Sequence, residues 1–424
     1  MTLAEQYEKD EQYEKAYEEY QKQYEREKEN PHILEKLAHI AAILNKKDEA
    51  AAYYKSLVAL DDKNIVAYEK LMDISFENND KFTYYLARAQ VHILQGQFEH
   101  AINDLIKSIS HGTDEYKTVS ARYILADLYE KTNKYNQAID EYLKISDTET
   151  ASSETYLKLA VLYDKTGFVE SAVEILLKAK NDGYENVDED LARYYLKVGD
   201  FQNALDLTQS DLHKIKCLLS LERLTEAFEL LTSIEPKYKN DAEYRILTAQ
   251  YYYETNEFDT ALENVDRFAE ISPNSPLIYQ MKALIYEKMG DEFQEHINWA
   301  KLNNLRGDID IALNEYETAH QINPDDVDVV ITLADMLNQT DTNRSIEFYE
   351  KLLTLQPENK RALEKLAEFR ESIGDYAEMK MYLDKLKQID PRNPYVVENY
   401  ERACQYALNP PSLIDNIMKF FKKI

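Results

Sequence analysis

Two neighbouring stretches of the chain share one spacing of apolar and polar residues. They read RYILADLYEKTNKYNQAIDEYLKI from Arg122 and YLKLAVLYDKTGFVESAVEILLKA from Tyr156, an offset of 34 residues. In each, apolar residues recur at i, i+3, i+4 and i+7, as on one helical face, on both sides of a short polar turn. Ala138 and Ala172, at equivalent points of the second face, are small enough to let two helices approach closely. Each stretch therefore predicts a helical hairpin.

A Gly or Asn recurs where the first helix of each predicted hairpin ends. If the alanine of each Leu-Ala pair is position 8, position 15 is occupied by Asn45, Asn79, Gly96, Asn133, Gly167, Gly199, Asn256, Gly290, Gly307 and Gly374. A helix closed by a tight turn needs a left-handed residue just past its end, and Gly and Asn enter that conformation at the lowest cost. We therefore expect left-handed turns at these ten positions.

The pattern resembles the tetratricopeptide repeat, in which a bulky residue, Leu, a small residue and Tyr are followed by Ala, an aromatic residue, Ala and Pro. Position 32 is proline at Pro273, Pro324, Pro357 and Pro391. The resemblance extends from about Leu3 to Gln405. It implies an all-α fold, a right-handed superhelical solenoid of roughly ten helix-turn-helix hairpins.

The resemblance also accounts for many of the 34 tyrosines. Positions 11 and 24 are interhelix packing positions in the family. They are occupied here by Tyr7, Tyr129, Tyr163, Tyr195, Tyr252 and Tyr286, and by Tyr20, Tyr54, Tyr142, Tyr316 and Tyr349, respectively. Trp299, at position 7, is expected in the core for the same reason.

The repeat pattern is interrupted at three places, and these suggest domain boundaries. Two segments, from Ile65 and from Pro276, look like first helices followed at once by another first helix, which predicts three-helix units. Near the centre, Ala204 and Ala227 are 23 residues apart, which predicts short helices and a hinge. We therefore divide the chain into an N-terminal block 1–205, a shortened irregular repeat 206–241, a C-terminal block 242–408 and a terminal segment 409–424.

Composition and motif content limit the classes of function that the sequence supports. The formal net charge of −29 repels the phosphates of nucleic acids, so we expect no nucleic-acid partner. The sequence contains no GxxxxGK[ST], GxGxxG, HExxH or GxSxG motif, and its histidines and two cysteines lack metal-ligand spacing. We therefore expect no enzyme activity, no cofactor and no metal. Without an apolar h-region near the N-terminus, we expect a cytoplasmic protein.

Binding is the expected activity, because stacked helical hairpins expose a long concave surface built mainly from first helices. In the resembled family, ligands often contact positions 2, 5, 9, 12 and 13 of that helix. These positions imply a protein-binding surface containing Tyr123, Asp127, Glu130, Leu157, Val161, Asp164, Arg193, Ile246, Gln250, Tyr253, Glu364 and Glu368. No repeat combines Lys at position 5 with Asn at position 9, which disfavours capture of a C-terminal carboxylate. We expect a basic or amphipathic protein or peptide partner, and the oligomeric state stays open.

The last residues form a separate feature, SLIDNIMKFFKKI, after Pro410 and Pro411. On a helix, one face would carry Leu413, Ile414, Ile417, Met418, Phe420, Phe421 and Ile424. The other face would carry lysines and polar residues, which is typical of an amphipathic helix. Such a helix could cover the last repeat, dock on a partner, or make a weak peripheral contact at the inner membrane face. The sequence therefore favours a scaffold or adaptor, with a peripheral membrane-associated assembly factor and a regulatory accessory subunit of an enzyme as alternatives.

Overall fold

The computed structural model describes residues 2–409, and within them the chain is all-α, with no strand. The terminal amphipathic segment lies outside these residues. The α-helices are α1 Leu3–Lys9, α2 Tyr13–Arg26, α3 Pro31–Ile43, α4 Lys47–Leu60, α5 Ile65–Glu77, α6 Lys81–Leu94, α7 Phe98–His111, α8 Glu115–Lys131, α9 Tyr135–Ser146, α10 Ser153–Lys165, α11 Val169–Asn181, α12 Asp188–Val198, α13 Phe201–Leu207, α14 Asp211–Ser220, α15 Leu224–Tyr238, α16 Ala242–Glu254, α17 Phe258–Ile271, α18 Pro276–Met289, α19 Glu292–Arg306, α20 Ile309–Ile322, α21 Val327–Leu337, α22 Thr342–Leu355, α23 Lys360–Ser372, α24 Tyr376–Ile389 and α25 Pro394–Leu408.

Most of these helices pair as hairpins of sequence neighbours. Close packing joins α1 to α2, α3 to α4, α8 to α9, α10 to α11, α12 to α13, α16 to α17, α21 to α22 and α23 to α24. Ala138 and Ala172, the small residues that predicted close helix approach, are fully buried in α9 and α11. The all-α fold of helix-turn-helix hairpins is therefore confirmed.

The turns follow the sequence prediction at every Gly and Asn position. All ten predicted residues have a positive φ, between 57° at Asn79 and 87° at Gly307. Two glutamates share this conformation, Glu11 with φ 57° and Glu222 with φ 56°. Because a side chain with a Cβ is strained there, these two turns are held by the packing of their helices and not by local preference.

Both predicted three-helix segments are present. Helix α6 packs against α5 and against α7, and α19 packs in the same way against α18 and α20. Left-handed turns at Asn79 and Gly96 join the first set, and turns at Gly290 and Gly307 join the second. In both segments, therefore, one helix is added to the ordinary pair.

Tyrosines at position 24 are core residues, whereas those at position 11 are mostly half-buried. Tyr20, Tyr54, Tyr142, Tyr316 and Tyr349 are all buried. Of the six tyrosines at position 11, Tyr195 is buried and the other five are half-buried. Trp299 is half-buried as well. The tyrosine of the second helix, at position 24, is therefore more deeply buried than the tyrosine of the first helix, at position 11.

The chain divides into two compact units, an N-terminal unit Met1–Cys217 and a C-terminal unit Leu218–Ile424. The division falls within α14, inside the shortened repeat 206–241. Helices α13 and α14 have 7 and 10 residues, shorter than the usual helices of this chain, in agreement with the reduced alanine spacing. A hinge in this segment remains a prediction. Within residues 2–409, no helix is both long enough and apolar enough to span a membrane.

Candidate protein-binding surface

The twelve predicted binding residues lie on five first helices. Seven belong to the N-terminal unit, on α8, α10 and α12, which follow one another as the first helices of three successive hairpins. The other five lie in the C-terminal unit, on α16 and α23, which belong to different hairpins. The seven residues of the N-terminal unit therefore lie on successive hairpins, whereas the five of the C-terminal unit do not.

Ion pairs connect the three N-terminal first helices. Lys158 on α10 donates a hydrogen bond to Asp127 on α8 at 2.5 Å, and Lys197 on α12 forms an ion pair with Asp164 on α10. Both carboxylates belong to the predicted set, whereas neither lysine does. These lysines lie about one repeat further along the chain, so a search for oppositely charged residues at the repeat spacing would have found them.

A buried tyrosine forms hydrogen bonds to two carboxylates of the predicted set. The hydroxyl of Tyr142 on α9 donates to Asp127 at 2.5 Å and to Glu130 at 3.0 Å. Burial and the hydrogen bond to Asp127 raise the pKa of Tyr142, so the phenol stays protonated and acts as a donor at neutral pH. The carboxylate of Asp127 is therefore fixed between a tyrosine of its own hairpin and a lysine of the next.

The same three-residue arrangement recurs near both ends of the chain. Glu8 accepts hydrogen bonds from Tyr20 at 3.0 Å and from Lys36 at 2.8 Å. Burial alone would raise the pKa of Glu8, but the hydrogen bonds from Lys36 and Tyr20 hold that pKa below its ordinary value.

In the C-terminal unit, Asp335 accepts from Tyr349 at 2.6 Å and pairs with Arg361 at 2.8 Å. Each carboxylate lies on a first helix, each tyrosine on the second helix of the same hairpin, and each cation on the next first helix. We call this arrangement the tyrosine-carboxylate-cation link.

Four exposed and two half-buried residues of α8, α10 and α12 form what we call the first-helix surface. The exposed residues are Asp127, Val161, Arg193 and Lys197, and the half-buried ones are Lys158 and Asp164. Val161 is 43% exposed, and Arg193 is exposed and pairs with Asp190 one turn away. By contrast, Tyr123 and Leu157 are half-buried and pack against the core. The apolar contact offered to a partner is therefore centred on Val161, between two ion pairs.

Tyr123 is anchored in the hairpin stack. Its hydroxyl is hydrogen bonded to Thr155 on α10, and its ring makes an edge contact with Tyr142 at a centroid distance of 6.1 Å. Because its ring and hydroxyl both have intramolecular partners, truncation of Tyr123 would disturb packing as well as binding.

The predicted residues of the C-terminal unit offer less free surface. Ile246 and Tyr253 on α16 are half-buried and pack against the core of their hairpin, and Gln250 is also half-buried. On α23, Glu368 accepts a hydrogen bond from Lys365 at 2.8 Å, and Glu364 is half-buried.

Two observations concern metal ligands and thiol chemistry in the described residues. Within residues 2–409, no cluster of three or more His, Cys, Asp or Glu side chains could hold a metal ion. Cys217 is buried, which raises the pKa of its thiol to about 11, so it is not a thiolate at neutral pH. The arrangement on the first helices is instead suited to apolar and charged contacts.

The fold defines a protein built from repeated helical hairpins. A sequence model described as "Tetratricopeptide repeat" matches residues 31–64, which contain the hairpin of α3 and α4. A second, described as "Anaphase-promoting complex, cyclosome, subunit 3", matches residues 60–145. These matches confirm tetratricopeptide repeats within residues 31–145, and such repeats support a protein-interaction scaffold. The hairpins and left-handed turns of the other described residues continue the same pattern.

Solved structures with similar helical arrays have low sequence identity to this chain. "Structure of Naa15/Naa10 bound to HypK-THB" has 16% identity and a TM-score of 0.33, covering 94% of this chain and 66% of that chain, just under two thirds. "Crystal Structure of the Yeast Tom70" has 16% identity and a TM-score of 0.29, with coverage of 98% and 97%. "Crystal structure of APC/C hetero-tetramer Cut9-Hcn1" has 12% identity and a TM-score of 0.25, with coverage of 94% and 95%. No curated protein matches the chain.

Proposed function

We propose that this protein is a non-catalytic scaffold that binds a segment of a partner protein along the first-helix surface. The observation that carries the proposal is the position of Val161, an exposed apolar residue between the Asp127–Lys158 and Asp164–Lys197 ion pairs. Val161 thus provides one apolar contact point with charged groups on both sides. The ion pairs link each first helix to the next, α8 to α10 and α10 to α12.

The chemistry of this surface favours an amphipathic partner over a purely basic one. The carboxylates of Asp127 and Asp164 are each paired with a lysine, which reduces the local negative charge. An apolar side chain of the partner would contact Val161, and its polar groups would contact the flanking charges and Arg193. Such an arrangement of an apolar centre and a polar rim is common in protein interfaces.

The test uses two substitutions that keep the fold intact. Val161→Asp with Arg193→Ala changes exposed side chains, and the ion pair that Arg193 makes within its own helix contributes little to stability. We expect this variant to lose partners that the wild-type protein recovers in affinity purification, by about tenfold or more, with unchanged helicity. The matched control is Val397→Asp with Arg392→Ala, two exposed residues of the C-terminal unit. Equal recovery by both variants would refute binding at the first-helix surface.

The two alternative functions, a peripheral membrane-associated assembly factor and an accessory subunit of an enzyme, depend on other evidence. A peripheral membrane-associated role depends on residues 410–424, which lie outside the described residues, and a role as an enzyme accessory subunit depends on the identity of the partner. A cytoplasmic location is likewise part of the proposal. Identification of the partner by the purification above distinguishes these roles, since an accessory subunit would recover an enzyme.

A further inference from the structure

A second surface lies between α6 and α7 and differs in charge from most of the protein. It is a groove of about 520 Å³ lined by Arg88, His92, His100, Asn103, Asp104 and Lys107. We call it the basic groove. Helix α6 belongs to the first three-helix segment, so the groove is built by a helix that an ordinary hairpin would lack.

The carboxylate of Asp104, which lines the basic groove, is paired with the guanidinium of Arg88. Asp104 is buried and accepts hydrogen bonds from Arg88 at 2.8 Å and 2.5 Å. His92 Nδ1 lies 3.0 Å from the same carboxylate. A buried carboxylate paired in this way adds little negative potential to the solvent side, because its charge is offset by the guanidinium beside it.

The exposed side of the groove carries a lysine and a histidine. Lys107 and His100 are exposed, and the ring of His100 lies 5.5 Å from that of His92. The sequence of α6, KFTYYLARAQVHIL, contains no Asp or Glu. In a chain with 79 acidic and 50 basic residues, a helix free of carboxylates beside an exposed lysine is locally less acidic than the chain as a whole.

Aromatic side chains extend the basic groove at one end. The guanidinium of Arg88 lies 5.2 Å and 5.0 Å from the ring centroids of Tyr84 and Tyr85, and Lys107 Nζ lies 5.6 Å from that of Tyr85. Phe76, which is 72% exposed, contacts Tyr84 at a centroid distance of 5.6 Å. The cations are therefore held in place by rings, and an exposed aromatic surface adjoins them.

We propose that the basic groove binds an acidic segment of a partner protein. Carboxylates of that segment pair with Lys107 and accept a hydrogen bond from the ring of His100, and an apolar side chain packs on Phe76. Charge complementarity supports this ligand, since the chain as a whole has a formal net charge of −29 and the groove presents Lys107 and Arg88 with its one carboxylate paired. This surface is distinct from the first-helix surface, and the inference does not depend on the function proposed for that surface.

Fluorescence anisotropy of the full-length protein with a labelled peptide, Asp-Glu-Phe-Asp-Glu-Phe, tests the assignment. The variant His100→Gln with Lys107→Gln removes the exposed histidine and lysine of the groove and leaves the Arg88–Asp104 pair intact. We expect it to bind the acidic peptide about tenfold more weakly than the wild-type protein. The control, His32→Gln with Lys385→Gln, removes the same residue types from exposed sites elsewhere and should bind normally. Phe76→Ser should also weaken binding, without loss of helicity.

Three results would overturn the assignment. The first is equal affinity of the acidic peptide for the groove variant and the control variant. The second is equal or tighter binding of the basic peptide Lys-Arg-Phe-Lys-Arg-Phe to the wild-type protein. The third is displacement of the acidic peptide by a single-stranded RNA oligonucleotide that binds more tightly, which would identify a nucleic-acid ligand. Thermal unfolding of each variant, followed by circular dichroism, confirms that weaker binding does not reflect unfolding.

Discussion

The hydroxyl of Tyr142 lies 2.5 Å from the carboxylate of Asp127, although the two residues are on opposite helices of the α8–α9 hairpin. Tyr142 is fully buried, whereas the side chain of Asp127 is 55% exposed and also pairs with Lys158 of the next hairpin. A core residue therefore determines where a surface charge lies. The links at Glu8 and Asp335 have the same arrangement, so this device orders first-helix charges in both units.

Removal of the tyrosine hydroxyl tests the stabilising role of this link. Tyr142→Phe keeps the buried ring but removes the donor to Asp127 and Glu130. We expect a loss of about 1.5 to 3 kcal/mol in the free energy of unfolding, the usual range for a hydrogen bond to a charged group. Urea denaturation followed by circular dichroism measures it.

A tyrosine on the surface of the same hairpin provides the control. Tyr116 on α8 is 73% exposed, and Tyr116→Phe should change the unfolding free energy by less than about 0.5 kcal/mol. If both variants were as stable as the wild-type protein, the link would contribute nothing to stability.

The links also predict a loss of stability at high pH. Burial, followed by hydrogen bonding to a carboxylate, raises the pKa of Tyr20, Tyr142 and Tyr349 above the ordinary value of 10.0. Above that pH the unfolded chain loses these protons while the folded chain keeps them, so the stabilisation present below pH 10.0 decreases as pH rises. The urea midpoint should therefore decrease above pH 10.0, and the decrease should be smaller in a variant with all three tyrosines changed to Phe. Identical pH profiles of the two proteins would contradict the prediction.

The sequence predicted the turns and the deeper tyrosines because both depend on local geometry. A left-handed turn selects Gly or Asn directly, so Asn45 or Gly374 reveals its conformation without knowledge of its neighbours. Position 24 faces the partner helix in every hairpin, so Tyr142 and Tyr349 are buried wherever the register is kept. These features repeat with the period of the chain.

The tyrosine-carboxylate-cation links and the basic groove were not predicted from the sequence, because each depends on contacts between side chains of different helices. Lys158 and Lys197 look like ordinary surface lysines in the sequence, and only the spacing between successive first helices makes them partners of Asp127 and Asp164. In the same way, the pairing of Asp104 with Arg88 requires the packing of α6 on α7. Residue type alone does not contain that information.

The turn at Glu222 offers a way to stabilise the protein. Its φ of 56° is unfavourable for a residue with a Cβ, and its side chain is exposed. Glu222→Gly should therefore raise the free energy of unfolding by about 1 kcal/mol, because relief of this strain exceeds the added entropy of the unfolded chain. The reverse substitution at an equivalent turn, Gly96→Ala, should lower it, although a Cβ there would meet open space. Thermal unfolding of the two variants in opposite directions would agree with this explanation, and destabilisation by Glu222→Gly would contradict it.

Site-specific photocrosslinking tests the proposed scaffold function most directly. Benzoylphenylalanine is introduced in native host cells in place of Val161 on the first helix α10 or in place of Glu174, an exposed residue on the second helix α11. The proposal predicts a discrete crosslink from position 161 to one segment of a partner protein, none from position 174, and loss of the crosslink when Arg193→Ala is added. A partner crosslinked from position 174 but not from position 161 would contradict binding at the first-helix surface.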